Sequence, residues 1–218
     1  MSTTPTNPTG NPVAYYNALP PHAETRGREE RTARFISQTL KALDIPHTEG
    51  VGGHGVVAVI DSGIPGPVVM FRADMDALPY ANPDGSMTAV HACGHDAHAA
   101  MLVGAAEILM ACRDSLAGSV RLLFQPAEET GQGARLLIEQ GALEGVSMTF
   151  GLHLLAGFKP GWLSASTGAS APAASRFTIK IRGKTTHGAR PEAGVDATLA
   201  ASALGMNLQS IVCLEMSP

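Results

Sequence analysis

Val120-Arg121-Leu122-Leu123-Phe124-Gln125-Pro126-Ala127-Glu128-Glu129 is an apolar run that stops on a proline turn and two carboxylates. Val120–Phe124 has the length and apolar density of a strand. The helical pattern that follows, Ala134–Gln140, is closed by Gly141, a residue type that ends helices. Val146–Gly151 then reads as another strand, finishing on Leu152 and His153. Strands alternating with helices predict a largely parallel sheet covered on both faces, an α/β fold.

The same grammar extends upstream. Ala33, Ile36, Leu40 and Leu43 recur at helical spacing within Glu24–Leu43. Gly50–Gly55 is a turn, and Val56–Ile60 and Val68–Phe71 are strands joined by a turn containing Gly63, Pro65, Gly66 and Pro67. Asp96–Cys112 is a helix that Asp96 can cap. In parallel sheets ligands collect beyond the carboxyl ends of the strands. Phe71-Arg72-Ala73-Asp74, Phe124 to Glu129 and Gly151-Leu152-His153 all put polar residues there. Beyond about Ser175 the character changes. Phe177-Thr178-Ile179-Lys180-Ile181-Arg182 alternates as a half-exposed strand should, and a helix over Val195–Val212 follows a loop with Gly183, His187 and Pro191. The predicted organisation is a disordered leader over 1–14, a main domain over 15–174 and the first strand and helix of a small α+β domain over 175–218.

Composition narrows the function classes. The 218 residues carry a net charge of −4. The one basic stretch, Arg26–Arg34, is interleaved with Glu29 and Glu30 and reads as a solvated helix face, so nucleic acid is not an expected partner. Cys93, Cys112 and Cys213 are odd in number and widely spaced, which argues for a reducing compartment. Met1–Pro12 lacks the charged and apolar regions of a signal peptide. Ala99–Ala111 is interrupted by Glu107 and too short to span a bilayer. A cytoplasmic protein with no membrane partner is expected.

Several short segments carry candidate chemistry. Gly50-Val51-Gly52-Gly53-His54-Gly55 matches a dinucleotide fingerprint by letter, but a strand follows it where a helix is required, so it is a turn. In His91-Ala92-Cys93-Gly94-His95-Asp96-Ala97-His98, Cys93 and His95 are either a buried cysteine beside an incidental histidine or a thiolate and imidazole suited to a borderline metal ion. Glu128 and Glu129 are either an exposed acidic loop or a pair in which one carboxylate binds metal while its neighbour faces the reacting water. His153 is either a satisfied core residue or a ligand, and at least one of Asp74 and Asp76 is expected to orient a ligating imidazole. His22, His47 and His54 read as surface residues and Trp162 as packing. A zinc nucleobase deaminase is disfavoured, because its paired histidine–glutamate and cysteine motifs are absent.

Phe71 to Pro79, His91 to His98, Phe124 to Glu129, Gly151 to His153 and Gly183 to Pro191, taken together and in this order, resemble the M20 metallopeptidase family. The resemblance is closest to its branch of N-acyl-amino-acid amidohydrolases, which includes hippurate hydrolases and auxin-conjugate hydrolases. It implies a zinc-exopeptidase-like catalytic domain followed by a small dimerisation domain, and two divalent ions (Zn, Mn or Co). Cys93 would bridge the ions, with His95, Glu129 and His153 as further ligands and Glu128 as general acid/base. His187 would reach the partner subunit's active site in a homodimer and support the oxyanion.

The resemblance also implies a later histidine ligand, the rest of the small domain and a returning part of the catalytic domain. None of these follows Pro218 in this sequence, so a partner chain supplying them is expected. The donors then divide as Cys93, His95 and His153 for one ion, predicted to bind, and Cys93 with Glu129 for a weaker one. Two functions stay open: metal-dependent hydrolysis of N-acyl amino acids or peptide-like substrates, and an inactive remnant that binds one ion and acts through a partner.

Overall fold

Apolar side chains at every second position of neighbouring strands build the sheet. The computed structural model describes residues 11–19, 23–165, 167–168 and 177–215. Its strands are β1 (His47–Val51), β2 (Gly55–Asp61), β3 (Val68–Asp74), β4 (Leu78–Ala81), β5 (Met87–Val90), β6 (Ser119–Gln125) and β7 (Val146–Gly151). The helices are α1 (Pro12–Ala18), α2 (Glu30–Ala42), α3 (His95–Ala111), α4 (Gln132–Glu139) and α5 (Ala197–Glu215). Five strands form one sheet in the order β1-β2-β6-β3-β7. β3 is parallel to β6 and β7, whereas β2 is antiparallel to β1 and β6, so β2 alone runs against the rest. The sheet is mixed with a parallel core, the expected α/β class.

β2 and β3, joined by the expected turn, are separated in the sheet by β6. Two details were not expected. Gly50–Gly55 contains the turn between β2 and an unexpected strand, β1, whose sequence His-Thr-Glu-Gly-Val carries no apolar alternation. β4 and β5 form a separate antiparallel pair, mostly exposed and for that reason without a readable pattern.

Each face of the sheet has its own core. Val56, Ala58 and Ile60 of β2 and Val120, Leu122 and Phe124 of β6 pack with Ile36 and Leu40 of α2 and Val103 of α3. Val57 and Leu123, one residue out of phase, pack on the other face with Leu137 of α4. Burying a side chain such as Phe124 or Ile36, each 0% exposed, is worth about 1.5–3 kcal/mol. Ala99, Ala100, Gly104 and Ala106 give α3 a small-residue face. At Gly104 an added Cβ would come within 3.1 Å of Pro12, where α1 lies against it. Tyr15 of α1 also donates its hydroxyl to Glu107 at 3.2 Å. The first three residues of this helix fall in the region read as leader and the rest in the expected main domain; its start has Asn11 accepting from the Ala14 N–H and Pro12 in the first turn. Residues 1–10 of that expected leader lie outside the described residues.

The described residues divide into one unit up to Lys159 and another from Pro160. In the second, Asp196 accepts from the N–H groups of Thr198 and Leu199 and so caps α5. The expected strand over 177–182 is not formed. Only Lys184 and Val195 pair, as an isolated bridge, and no described strand offers residues 177–182 a ladder. Leu199 and Ile211 of α5 are exposed and Leu204 and Leu208 half-buried, whereas Trp162, read as packing, is 73% exposed. The boundary expected at residue 174 lies outside the described residues, as does His22. Among the described residues no helix is long and apolar enough to cross a membrane.

Candidate metal centre

A left-handed glycine sets the geometry of the first donor segment. Gly94 precedes α3 with φ 82°, a conformation that costs glycine little, and takes the N-cap position expected of Asp96. Asp96 instead accepts from the Ala97 N–H at 2.8 Å. The consequence is that Cys93 lies just before the helix and His95 in its first turn, fully buried. Beyond β3, Asp76 fixes His95. Its carbonyl and Oδ1 face His95 Nδ1 at 2.9 and 3.2 Å, so Nδ1 carries the proton and Nε2 keeps its lone pair. The second carboxylate oxygen of Asp76 accepts the Glu129 N–H at 3.2 Å, and one residue thus positions two donors.

The carboxylates sit on a strained turn. Ala127 adopts φ 51°, ψ 41°, a left-handed conformation that costs a residue with a Cβ about 1–2 kcal/mol. Three contacts hold it. Glu29 accepts the Ala127 N–H at 2.9 Å, while Gly133 N–H and the Thr130 hydroxyl donate to the Ala127 carbonyl, both at 3.2 Å. Gly133 is needed here because a Cβ would collide with the Pro126 carbonyl. Glu29, read from the sequence as part of a solvated face, is fully buried beneath this turn.

At the end of β7, His153 points Nε2 at the Cys93 sulfur, 3.3 Å away, with Nδ1 bonded to the Leu154 carbonyl at 2.6 Å. Among the described residues three groups of donors have atoms within 4.8 Å of one another: Cys93, His95 and His153; His95, Glu128 and Glu129; and Asp74, His95 and His98. All four residues expected to be ligands, together with Glu128, are brought to one place at the carboxyl ends of the strands. His153 is exposed, so the cluster opens to solvent on that side. His187 lies in the second unit, exposed, with Nδ1 accepting from the Ala189 N–H at 3.1 Å.

The charge state of the cluster calls for a cation. Among the described residues, His95 Nε2 and Glu129 Oε1 are both buried without a hydrogen-bond partner, 3.9 Å apart. Donors bound tetrahedrally at roughly 2.0–2.3 Å stand about 3.3–3.8 Å from one another, close to the spacings found here. Burial, and next the charge of Glu129, push the Cys93 thiol up to about 11. Burial pushes His95 down, but the Asp76 hydrogen bond and the Asp74 charge outweigh it and leave its pKa raised. Burial likewise pushes Asp74 up, against which His98, Arg72 and His95 prevail and hold it low. A divalent ion would reverse the thiol's preference and partner both orphaned atoms. The residues fit such an ion.

A mostly parallel α/β sheet whose strand ends gather cysteine, histidine and glutamate donors is suited to holding divalent metal. Residues 70–206 match Peptidase family M20/M25/M40, and the chain belongs to that family. Over 90% of its length it is 40% identical to N-acetyl-L-cysteine deacetylase of Bacillus subtilis, of which it covers 49%. Over 94% it is 37% identical to N-acyl-L-amino acid amidohydrolase of Geobacillus stearothermophilus, covering 58% of that protein. The solved Bacillus subtilis YXEP protein, described as a dinuclear metal-binding peptidase of the M20 family, is 39% identical with a TM-score of 0.60, over 65% of this chain and 42% of that one. An aminohydrolase structure from methicillin-resistant Staphylococcus aureus aligns with 96% of this chain and 58% of its own at a TM-score of 0.73 and 32% identity. The chain spans about half the length of the curated relatives it matches.

Sequence reasoning missed Glu29, whose buried role depends on a contact 98 residues away. It also quoted His91 and His98 without assigning them. His91 has both ring nitrogens buried, with the Asp76 backbone as a hydrogen-bond partner, and burial lowers its pKa against the pull of Asp96. The proximity of Asp96 and His95 in the quoted motif was the available signal.

Proposed function

We propose that this protein hydrolyses the amide bond of N-acyl amino acids or small peptide-like substrates with the help of bound divalent metal. The observation that carries this reading is the pair of orphaned atoms, His95 Nε2 and Glu129 Oε1, facing each other beside Cys93 and His153. The names of the relatives, a deacetylase of N-acetyl-L-cysteine and an N-acyl-L-amino acid amidohydrolase, support the substrate class. Cys93, His95, Glu129 and His153 would hold the metal. Thiolate and imidazole favour a borderline ion such as Zn²⁺, with Mn²⁺ and Co²⁺ as alternatives. Ions held there supply a water acidified for attack and a polarised carbonyl.

The chain's own groups do the rest. Glu128, next to the ligand Glu129, takes the proton of the attacking water as its oxygen bonds to the acyl carbon. It returns that proton to the nitrogen as the C–N bond breaks, releasing a carboxylic acid and an amino acid. His187 accepts at Nδ1, so its proton sits on Nε2 as a donor suited to an oxyanion, presented by a second copy of the chain in a homodimer. A cytoplasmic location goes with the reduced cysteines, of which Cys93 and Cys112 are free.

A second reading is favoured by the group of Cys93, His95 and His153, a three-donor site complete in itself. In it the chain holds one ion and acts only with a partner. Metal content per chain, measured alongside hydrolysis of a panel of N-acyl amino acids with added Mn²⁺, Co²⁺ or Zn²⁺, separates the two. Two ions with turnover abolished by Glu128→Gln supports the hydrolase; one ion without turnover under any metal supports the second reading.

A further inference from the structure

We propose that His98 is a positioning residue that holds His153 in its metal-binding orientation through both backbone groups of Leu154. The inference rests on the metal-centre reading above and adds to it a residue that is not itself a ligand. Asp74 Oδ1 lies 2.6 Å from His98 Nδ1, and His98 Nε2 lies 3.0 Å from the Leu154 nitrogen. Direction follows from chemistry. A backbone N–H can only donate, so His98 Nε2 accepts and the proton of the neutral ring sits on Nδ1, where it is given to Asp74. The Leu154 carbonyl then accepts from His153 Nδ1 at 2.6 Å, which leaves the His153 Nε2 lone pair facing the Cys93 sulfur.

Asp74, His95 and His98 stand close enough together to be taken for a metal group of their own. His98 has no free lone pair to offer one, since both ring nitrogens are already committed. Its surroundings match a fixed strut: His98 is 2% exposed and Asp74 1%. The segment it holds is the opposite. Residues 152–155 follow the end of β7, belong to no helix or strand and are exposed. Among the described residues, this segment is tied to the rest of the chain by the Leu154 N–H on His98 and by the His153 contact with Cys93, while the His153–Leu154 bond fixes the ring within the segment. The Leu154 side chain also rests over Gly94, where an added Cβ would meet it at 3.4 Å. Asp74, at the end of β3, therefore reaches His153, beyond β7, through one imidazole and one peptide residue.

The test uses the full chain and three variants, His98→Asn, His98→Gln and His98→Phe. An asparagine amide can donate to Asp74 from the Nδ1 position but leaves the Leu154 N–H unpaired. A glutamine oxygen reaches the Nε2 position and keeps that acceptor. In metal-free protein, long-range ¹H–¹⁵N spectra of the imidazoles should show His153 as a single Nδ1–H tautomer in the wild type and in His98→Gln. A mixture is expected in His98→Asn and His98→Phe. Co²⁺ titration followed by visible absorption should show affinity about 10–100-fold weaker in those two variants, with His98→Gln close to wild type and the thiolate band of Cys93 retained throughout. An unchanged His153 tautomer in His98→Asn overturns the proposal, as does equal loss in the Asn and Gln variants. A wild type that binds no Co²⁺ would instead sink the metal-centre reading, while the tautomer measurement still decides the relay.

Discussion

β6 and residues 177–182 carry the same pattern and come to different ends. Val120, Leu122 and Phe124 alternate in one, Phe177, Ile179 and Ile181 in the other. The first is a central strand, hydrogen-bonded on one side to β2 and on the other to β3, with Phe124 fully buried. The second has no ladder among the described residues, and Phe177 is 70% and Ile179 51% exposed. Alternation declares which face a segment would bury. Whether it becomes a strand depends on neighbours that accept its N–H and C=O groups, and these are remote in sequence. The same asymmetry separates the two places from which catalytic groups are proposed. Glu128 stands on a turn pinned from three sides, whereas His187 stands in an exposed loop with only local bonds, accepting from the Ala189 and Arg190 N–H groups.

The sharpest way to break that contrast is by activity. On the N-acyl amino acid that the panel identifies as turned over, Glu128→Gln should lower kcat by about 10²–10⁴-fold, the range for a lost general acid/base. Metal content should stay unchanged. His187→Ala should cost about 10²–10³-fold, as for a lost oxyanion donor. Mixing His187→Ala with Glu128→Gln should restore part of the activity if the histidine works in a second copy. No recovery on mixing would place it outside the reaction or within its own chain's site.

Stability should follow the burial difference. Phe124→Ala removes a fully buried ring from the larger core and should cost about 3–5 kcal/mol, read from urea unfolding of metal-free protein. A cost below about 1 kcal/mol would mean that the sheet centre collapses around the cavity or is not packed as described.

Cys93 tests the electrostatic side. With its thiol pushed up to about 11 by burial and then by Glu129, little thiolate exists at pH 8 in metal-free protein. Alkylation of Cys93 should then be about 100-fold slower in the native state than in the denatured one, where an ordinary thiol pKa near 9 or below applies. The sign follows directly: a raised thiol pKa favours the neutral form, so native reactivity should keep climbing with pH until about 11. A plateau near pH 8 would show that the carboxylates around the sulfur are not ionised together.

Much of this architecture was legible. The strands read as ending at Phe71, Phe124 and Gly151, which run to Asp74, Gln125 and Gly151, and the donors beyond them could be found because apolar runs ending in polar residues are local signals. The buried role of Glu29 could not, since its neighbours Arg28 and Glu30 are exposed and the partner, Ala127, is on another element. Nor could the strain at Ala127, because alanine gives no cue for a left-handed turn. Glu29→Ala should therefore leave the Ala127 N–H buried and unpaired and cost about 1–3 kcal/mol. Glu29→Gln keeps an acceptor and should recover most of it in the same unfolding experiment. Equal losses would make the charge of Glu29, not its hydrogen bond, the stabilising feature.

The smallest effect is the most direct probe of the opening contrast. Ile179 has the same alternating position in its run that Leu122 has in β6, yet is half exposed. Exposed substitutions away from caps and buried networks change stability by less than about 0.5 kcal/mol, so Ile179→Ala should be nearly silent in urea unfolding. If it costs more than about 1 kcal/mol, residues 177–182 are covered in solution. Repeating the measurement over a range of protein concentrations would then identify the cover. A loss that grows with concentration means a second copy of the chain supplies it, the geometry that the proposed role of His187 requires. A loss independent of concentration means that the segment packs against its own chain, and the alternation has found its ladder after all.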